Sequence, residues 1–127
     1  MGRRAFTLVE LLIVVIILGI LAAVVVPQFS DASEDARLSS LTTNLQTIRG
    51  QLELYKIQQG VYPPSASFAT VLTTTAGGFG PYLQSVPNNP FTNTNTVGSG
   101  AVGSSAWKYD PTTGVFLAND SAGHAGL

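Results

Sequence analysis

Glu10 is the residue whose position demands an explanation. Phe6 to Val26 is apolar except for Thr7 and Glu10, and Leu11 to Val26 carries no charged or polar side chain. A carboxylate in such a span costs roughly 2.5–3.5 kcal/mol at the centre of a membrane helix and less near its end. An acid kept there has work to do. An intramembrane acid is a functional-site hypothesis by default. It can also serve locally, because Thr7-Leu8-Val9-Glu10 has the T-x-x-E spacing of a capping box, in which the acid satisfies an open amide at the helix start. The two roles can coexist.

The rest of the chain offers little further chemistry. Cysteine is absent, so there is no disulfide, thiolate metal site or thiol nucleophile. His124 is the single histidine, which argues against a histidine-based catalytic cluster and reads as a solvated tail residue. Glu53 with Arg49 and Lys56 reads as a solvated helix face. No Gly-rich phosphate loop, catalytic triad or carboxylate pair stands out. Charged residues make up 10% of the 127-residue chain, against 45% hydrophobic, where an average soluble domain has about 25% charged. With six basic and seven acidic residues the formal net charge is −1, which gives no electrostatic footprint for nucleic acid. The apolar residues crowd into the first 26 positions, while the last 60 are rich in Gly, Ser, Thr and Asn. A soluble metabolic enzyme does not look like this.

The element that carries Glu10 is a helix long enough to span a bilayer, since about 20 residues cross a hydrocarbon core of roughly 30 Å. It is apolar all round, and the remaining chain is too small to wrap it. Arg3 and Arg4 precede it and the next base is Arg37, so the positive-inside rule places the N-terminus in the cytoplasm and the bulk of the chain outside. An ordinary secretory signal peptide is the competing reading, with Leu21-Ala22-Ala23 supplying small residues. Glu10 interrupts its core, and no A-x-A precedes a polar start.

Pro27 has no amide hydrogen and clashes with the carbonyl of Ala23 in a continuous helix. Val24-Val25-Val26 and Gly19 are weak helix formers, so a kink or soft hinge is expected between Gly19 and Pro27. Beyond it, Leu38, Leu41, Leu45, Ile48, Leu52 and Tyr55 fall at alternating spacings of three and four, a narrow helical stripe. The stripe is either a coiled-coil seam or the face that holds a small head. The head is favoured, because an isolated hairpin is marginal in water. The helix should stop near Gln59, with Gly60 as its breaker and Pro63-Pro64 beyond.

In residues 60–127, Ser65 to Leu72 predicts a short helix with Phe68, Val71 and Leu72 inward. Tyr82 to Phe91 supplies apolar anchors. Thr92 to Ala106 reads as low-complexity, polar and mobile. Trp107-Lys108-Tyr109-Asp110 and Val115-Phe116-Leu117-Ala118 alternate about a Pro/Gly turn and predict a β-hairpin, with Trp107 and Tyr109 on one face covering the stripe. The expected fold class is α+β: a long N-terminal α-helix, kinked near Pro27, packed on a small C-terminal antiparallel β-sheet.

Arg3-Arg4-Ala5-Phe6-Thr7-Leu8-Val9-Glu10-Leu11-Leu12-Ile13-Val14 resembles the prepilin signal of type IV pilins and type II secretion pseudopilins. The resemblance is dense over residues 3–29. It implies a pilin-like fold, with residues 1–5 as leader, 6–26 as transmembrane and filament-core helix, 27–59 as the amphipathic half, and 60–127 as the head. It further implies cleavage between Ala5 and Phe6 by a prepilin peptidase and N-methylation of Phe6. Ala5 departs from the family's usual Gly but keeps a small residue. The resemblance gives Glu10 a partner, the freed amine of a neighbouring subunit; with a reference pKa near 7.7–8.0 that amine is largely protonated at neutral pH. It also makes the Gly19–Pro27 stretch one that can unwind in a filament.

A second, looser resemblance lies in the head. Gly60-x-Tyr62-Pro63, then Tyr82-Leu83-x-x-Val86-Pro87-x-x-Pro90-Phe91 and the hairpin, is similar to the major pseudopilin of type II secretion, and the lack of cysteine fits that branch. The implied function is a homo-oligomeric pseudopilus that drives protein export. Its implied partners are the prepilin peptidase, an inner-membrane assembly platform, an assembly ATPase, minor pseudopilins and the membrane, with the head periplasmic. No cofactor is expected except calcium, which major pseudopilins bind through C-terminal acids and carbonyls. Here only Asp110 and Asp120 are available, near Asn119 and Ser121, with Asn88-Asn89-Pro90 where Asp-Pro is commoner. Asn119-Asp120-Ser121 also fits a glycosylation sequon, which a bacterial filament subunit seldom uses. The alternatives are a type IV pilus subunit for adhesion, motility or DNA uptake, or a membrane-anchored binding module. Leader removal takes away Arg3 and Arg4 and leaves four basic against seven acidic residues, a formal −3, which opposes tight phosphate binding by one subunit.

Overall fold

The computed structural model describes residues 2, 4–75 and 77–127. One helix, α1, runs Leu8–Gln59. A 3-10 turn at Ser65–Ser67 leads into α2, Phe68–Thr73, and three short strands follow: β1 Val97–Gly98, β2 Trp107–Tyr109 and β3 Phe116–Ala118. The chain divides into two compact units, Met1–Ala36 and Arg37–Leu127, so the second unit starts inside α1 rather than at its end.

In the first unit every described residue is exposed. The helix contains an 18-residue window of mean hydropathy 3.2, long and apolar enough to cross a membrane. At about 1.5 Å per residue, Leu8–Val26 rises about 28 Å, close to the bilayer core. The helical assignment is unbroken through Gly19 and Pro27. Pro27 still cannot donate to the Ala23 carbonyl, so the ladder there is short of one bond.

The second unit has its own core. Leu41, Leu45, Ile48 and Leu52 are buried along one face of α1, with Phe68 and Leu72 of α2, Leu83, Val86, Ala106, Trp107, Tyr109, Phe116 and Ala118. Their spacing of four, three and four places them one above another on the helix. The aromatic rings interlock: Phe68 lies 4.6 Å from Tyr109 and 5.5 Å from Phe116, and Trp107 lies 5.5 Å from Phe116. The polar handles of the buried aromatics are satisfied, as burial requires. Trp107 Nε1 donates to the Pro87 carbonyl at 2.9 Å, and the Tyr109 hydroxyl donates to the Pro63 carbonyl at 2.8 Å. α1 ends where Gly60 takes φ 81°, its amide donating to the Lys56 carbonyl at 2.8 Å. In α2, Phe68 and Leu72 are buried while Val71 is only half-buried.

The sheet differs from expectation in two ways. β2 and β3 pair antiparallel, Trp107 opposite Ala118 and Tyr109 opposite Phe116. β1, however, pairs parallel with β2, Val97 opposite Trp107, so the sheet is mixed in order β1-β2-β3 rather than wholly antiparallel. The strand that makes it so comes from the Thr92–Ala106 segment expected to be mobile. Its polar side chains are what fix it. Thr96 accepts from Trp107 N through its carbonyl and from Ala106 N through Oγ1. Asn95 Nδ2 donates to the Val86 carbonyl at 3.3 Å, and the Ser105 hydroxyl donates to the Trp107 carbonyl at 2.8 Å. Low complexity here is a run of short donors and acceptors that replaces ladder bonds.

Two predictions follow from this packing. Gly114 closes the hairpin at φ 76°, and a Cβ on it would lie 2.2 Å from the Tyr62 ring. Gly114→Ala should lower the thermal midpoint by several degrees, since it incurs both the left-handed backbone cost and the clash. An unchanged midpoint in calorimetry would contradict this. Burial first, then the nearby Tyr62, Asp110 and Tyr55, pushes the Tyr109 hydroxyl up to about 12. A raised folded value means that the neutral hydroxyl stabilises the head fully below the unfolded value near 10, and that this stability is lost as pH rises towards 12. Denaturant midpoints should therefore fall across that window, and the fall should be smaller in Tyr109→Phe.

Candidate functional site

The start of α1 brings the chemistry-bearing residues together. Gly2 and Arg4 to Thr7 are non-helical, so the Ala5–Phe6 bond sits in irregular chain one step before the helix, with Phe6 82% exposed. Arg3 and Met1, part of the basic leader, lie outside the described residues. Glu10 Oε2 accepts from the Thr7 amide at 2.8 Å and from the Thr7 hydroxyl at 2.9 Å, and the Glu10 amide donates back to Thr7 Oγ1 at 3.3 Å. This is a reciprocal capping box. Arg4, Ala5, Phe6, Thr7 and Glu10 line one shallow cleft. The arrangement leaves Ala5 and Phe6 exposed in irregular chain and holds the acid a few residues beyond Phe6.

Further along α1, a Cβ added to Gly19 would meet no other group within 4 Å, and Pro27 is helical. Of the stripe, Leu41, Leu45, Ile48 and Leu52 are in the head core, and Tyr55 packs edge-on to Tyr82 at 5.2 Å. Leu38 lies outside that core at 39% exposure.

Arg49, Glu53 and Lys56 are not simply a solvated face. Arg49 Nε donates to the Phe116 carbonyl at 2.9 Å and its Nη2 to the Leu127 carbonyl at 2.6 Å. The Tyr62 hydroxyl donates to Glu53 Oε1 at 2.7 Å, and Lys56 Nζ sits 4.3 Å above the Tyr62 ring. These charges tie the helix to the hairpin and to the turn after α1. Sequence spacing alone showed only their i, i+3 and i+4 relations along the helix, because their partners are distant in the chain.

His124 is likewise not a solvated tail residue. Its Nδ1 lies 2.5 Å from Asp120 Oδ2, and its ring centroid is 4.3 Å from that of Phe91. Asn89, fully buried, donates through Nδ2 to Asp120 Oδ1 at 2.8 Å and to the Ala106 carbonyl at 3.0 Å, and its Oδ1 accepts from Phe91 N at 2.9 Å. Desolvation raises the Asp120 pKa, but the hydrogen bonds from Asn89 and His124 outweigh it and leave the carboxyl below its ordinary value. Sequence reasoning missed Asn89 as a hub. The i, i+4 spacing of Asp120 and His124 was its one readable trace.

This donor set does not fit calcium, which takes six to eight oxygens. Both Asp120 oxygens face nitrogen. Asp110 is committed elsewhere, its Oδ1 accepting from Thr112 N at 2.8 Å and its Oδ2 from the Thr113 hydroxyl at 2.9 Å. Among the described residues, no three acids, histidines or cysteines gather in one place.

The comparisons fall in line with this geometry. Residues 1–26 match the prokaryotic N-terminal methylation motif, which defines the class: proteins with a prepilin-type helix start. Residues 28–108 match the family of type II secretion system protein G, and the chain belongs to that family. It is 33% identical to the type II secretion system core protein G of Vibrio cholerae over 72% of this chain and 67% of that one. It is 29% identical to that of Klebsiella pneumoniae, over 70% and 69%, and 28% identical to that of Escherichia coli K12, over 72% and 68%. No solved structure gives a significant match.

The hairpin acid yields a pH prediction. The Thr112 amide first, then the Thr113 hydroxyl, holds Asp110 below the usual carboxylate range. A lowered folded value adds stability that is present above the unfolded value near 3.9 and is lost as pH falls through the folded one. In urea titrations from neutral pH down to acid, Asp110→Ala should lower the neutral midpoint and show a shallower acid limb than the wild type. Identical limbs would refute the assignment.

Proposed function

We propose that this protein is the structural subunit of a type II secretion pseudopilus, with no catalytic role. The observation that carries the reading is the first unit of the chain. It is an apolar helix exposed all round, entered by an accessible Ala5–Phe6 bond and opened by Glu10. A surface of that kind is covered either by lipid or by copies of itself, because leaving each large apolar side chain in water costs roughly 1.5–3 kcal/mol. Membership of the protein G family supplies the context.

In this reading the precursor spans the inner membrane once, with its N-terminus cytoplasmic and its head periplasmic. A prepilin peptidase cuts before Phe6 and methylates the new amine. Glu10 then meets the amine of a neighbouring subunit, and the pair selects register. Extraction from lipid and polymerisation become one coupled process, since the span passes from lipid to sister spans without meeting water. An assembly platform, an assembly ATPase and minor pseudopilins serve the process. The Gly19–Pro27 stretch, already missing one helical bond, gives the span some extensibility. The protein G match favours this reading over a type IV pilus subunit.

Mass spectrometry of the protein from its native host should show a chain starting at N-methyl-Phe6. An intact Met1 or Gly2 start would sink the reading in favour of a plain membrane anchor. Glu10→Ala should insert and be processed normally yet associate about tenfold more weakly, the effect of losing about 1.4 kcal/mol from the association free energy, and so give a clearly reduced filament yield. A normal filament yield would remove the amine–carboxylate argument.

A further inference from the structure

The polar cluster around Asp120 has no part in the assembly argument and has its own logic. Three separate stretches meet there: Asn89 to Phe91, Ala106 just before β2, and the Asn119–Leu127 segment. Asn89 holds the first two together through the Ala106 carbonyl and the third through Asp120 Oδ1. His124 closes the other side of the carboxylate and lies against Phe91, so the ring returns to the stretch from which Asn89 came. The loop between is locked as well: His124 N donates to the Ser121 hydroxyl, and Asn93 N donates to the Asn89 carbonyl at 2.8 Å. Joining distant loops around a carboxylate is the task a bound divalent cation performs in loop-rich folds.

Here nitrogen atoms take up both oxygens of the carboxylate. A cation needs Asp120 oxygens facing inward and free. One receives an amide N–H and the other faces an imidazole nitrogen, which donates as the neutral Nδ1–H tautomer or as imidazolium. Asn89 cannot turn its oxygen to a metal without losing the Phe91 amide and freeing two acceptors at a buried position. Asn119 Oδ1 is buried without a hydrogen-bond donor, and one such oxygen falls far short of a calcium shell. Asn119 is held in that orientation because its Nδ2 donates to the Ala101 carbonyl and to Ser105 Oγ, each at 3.0 Å.

We propose that the head is clasped internally by Asn89, Asp120 and His124, and that it folds and holds the Asn119–Leu127 segment without calcium. The inference rests on the pseudopilin reading only for the expectation that calcium belongs there. Its test involves no filament, so its failure and the failure of that reading are separable.

The full chain in detergent micelles is unfolded thermally, followed by the near-ultraviolet circular dichroism of Trp107, in millimolar calcium and in millimolar EGTA. A ligand that binds only the folded state raises the midpoint with its concentration. The expected midpoints agree within about a degree. Calcium titrated into the isotopically labelled protein should give no saturable shift of the Asn119 to His124 amide signals. Asp120→Ala and His124→Ala should each lower the midpoint by several degrees, equally with calcium and with EGTA. A higher midpoint in calcium, or saturable shifts in those amides, would overturn the proposal. So would wild-type stability in both variants. Should Asp120→Ala not fold, His124→Ala and the wild-type calcium comparison still decide.

Discussion

An apolar helical surface with nothing of its own chain upon it has to be covered by something else. From Leu8 to Val26 the side chains radiate in every direction, and all of them are exposed. Summed at roughly 25 cal/mol per Å² of apolar area, the penalty of leaving such a rod in water is on the order of tens of kcal/mol, more than the whole stability of a typical domain. Lipid and a bundle of identical rods both remove that penalty. They differ in what they would offer the single acid, because lipid offers Glu10 no charge, whereas in the proposed filament a neighbouring processed chain would offer an ammonium. The hydrophobic surface therefore demands a cover, and the acid distinguishes between covers.

The second unit answers a different problem. A 91-residue piece with three strands of two or three residues each has few ladder bonds to hold it. It compensates in two ways. The α1 face from Leu41 to Leu52 gives the short strands a rigid apolar floor, with Trp107, Tyr109 and Phe116 filling the space above it. Side-chain to backbone bonds from Asn89, Asn95, Thr96, Ser105 and Asn119 then fix the irregular stretches. Burying Asn89 is acceptable because its amide is matched at both nitrogen and oxygen, and a matched polar network specifies one arrangement where apolar packing alone would permit several.

What was legible in the sequence was whatever followed a period or a local rule. The apolar run, the T-x-x-E start, the stop at Gly60 and the hairpin about Gly114 depend on neighbours a few places apart, and α1, β2 and β3 fall where such rules put them. The i, i+3/i+4 stripe was legible too, though periodicity cannot say where a core ends, so Leu38 shares the pattern while standing outside the core. The parallel β1 strand was not legible. Val97-Gly98 has no strand pattern of its own, and its pairing with Trp107-Lys108 relies on Thr96 and Ser105. The clasp at Asp120 was hidden for the same reason: Asn89 and Asp120 meet across 31 positions of chain, and neither residue type announces a partner.

In the proposed filament Glu10 would serve two states in turn. In the single chain its carboxylate is occupied by the Thr7 amide and hydroxyl, a local contact of the kind typically worth about 1 kcal/mol at a helix start. That is enough to make the acid tolerable near the end of a span, where the burial cost is smaller than at its centre. It is too little to hold the carboxylate against a protonated amine, because pairing two charges in a medium of low polarity relieves the desolvation of both. In the proposed filament the local cap would be a holding arrangement that yields when a stronger partner arrives. In that proposal the partner could arrive only after the bond before Phe6 is cut, since an uncut chain has no freed Phe6 amine. In the proposed filament, processing would control which chains exchange the internal contact for the external one, and the same six residues, Ala5 to Glu10, would set both the cut and its consequence.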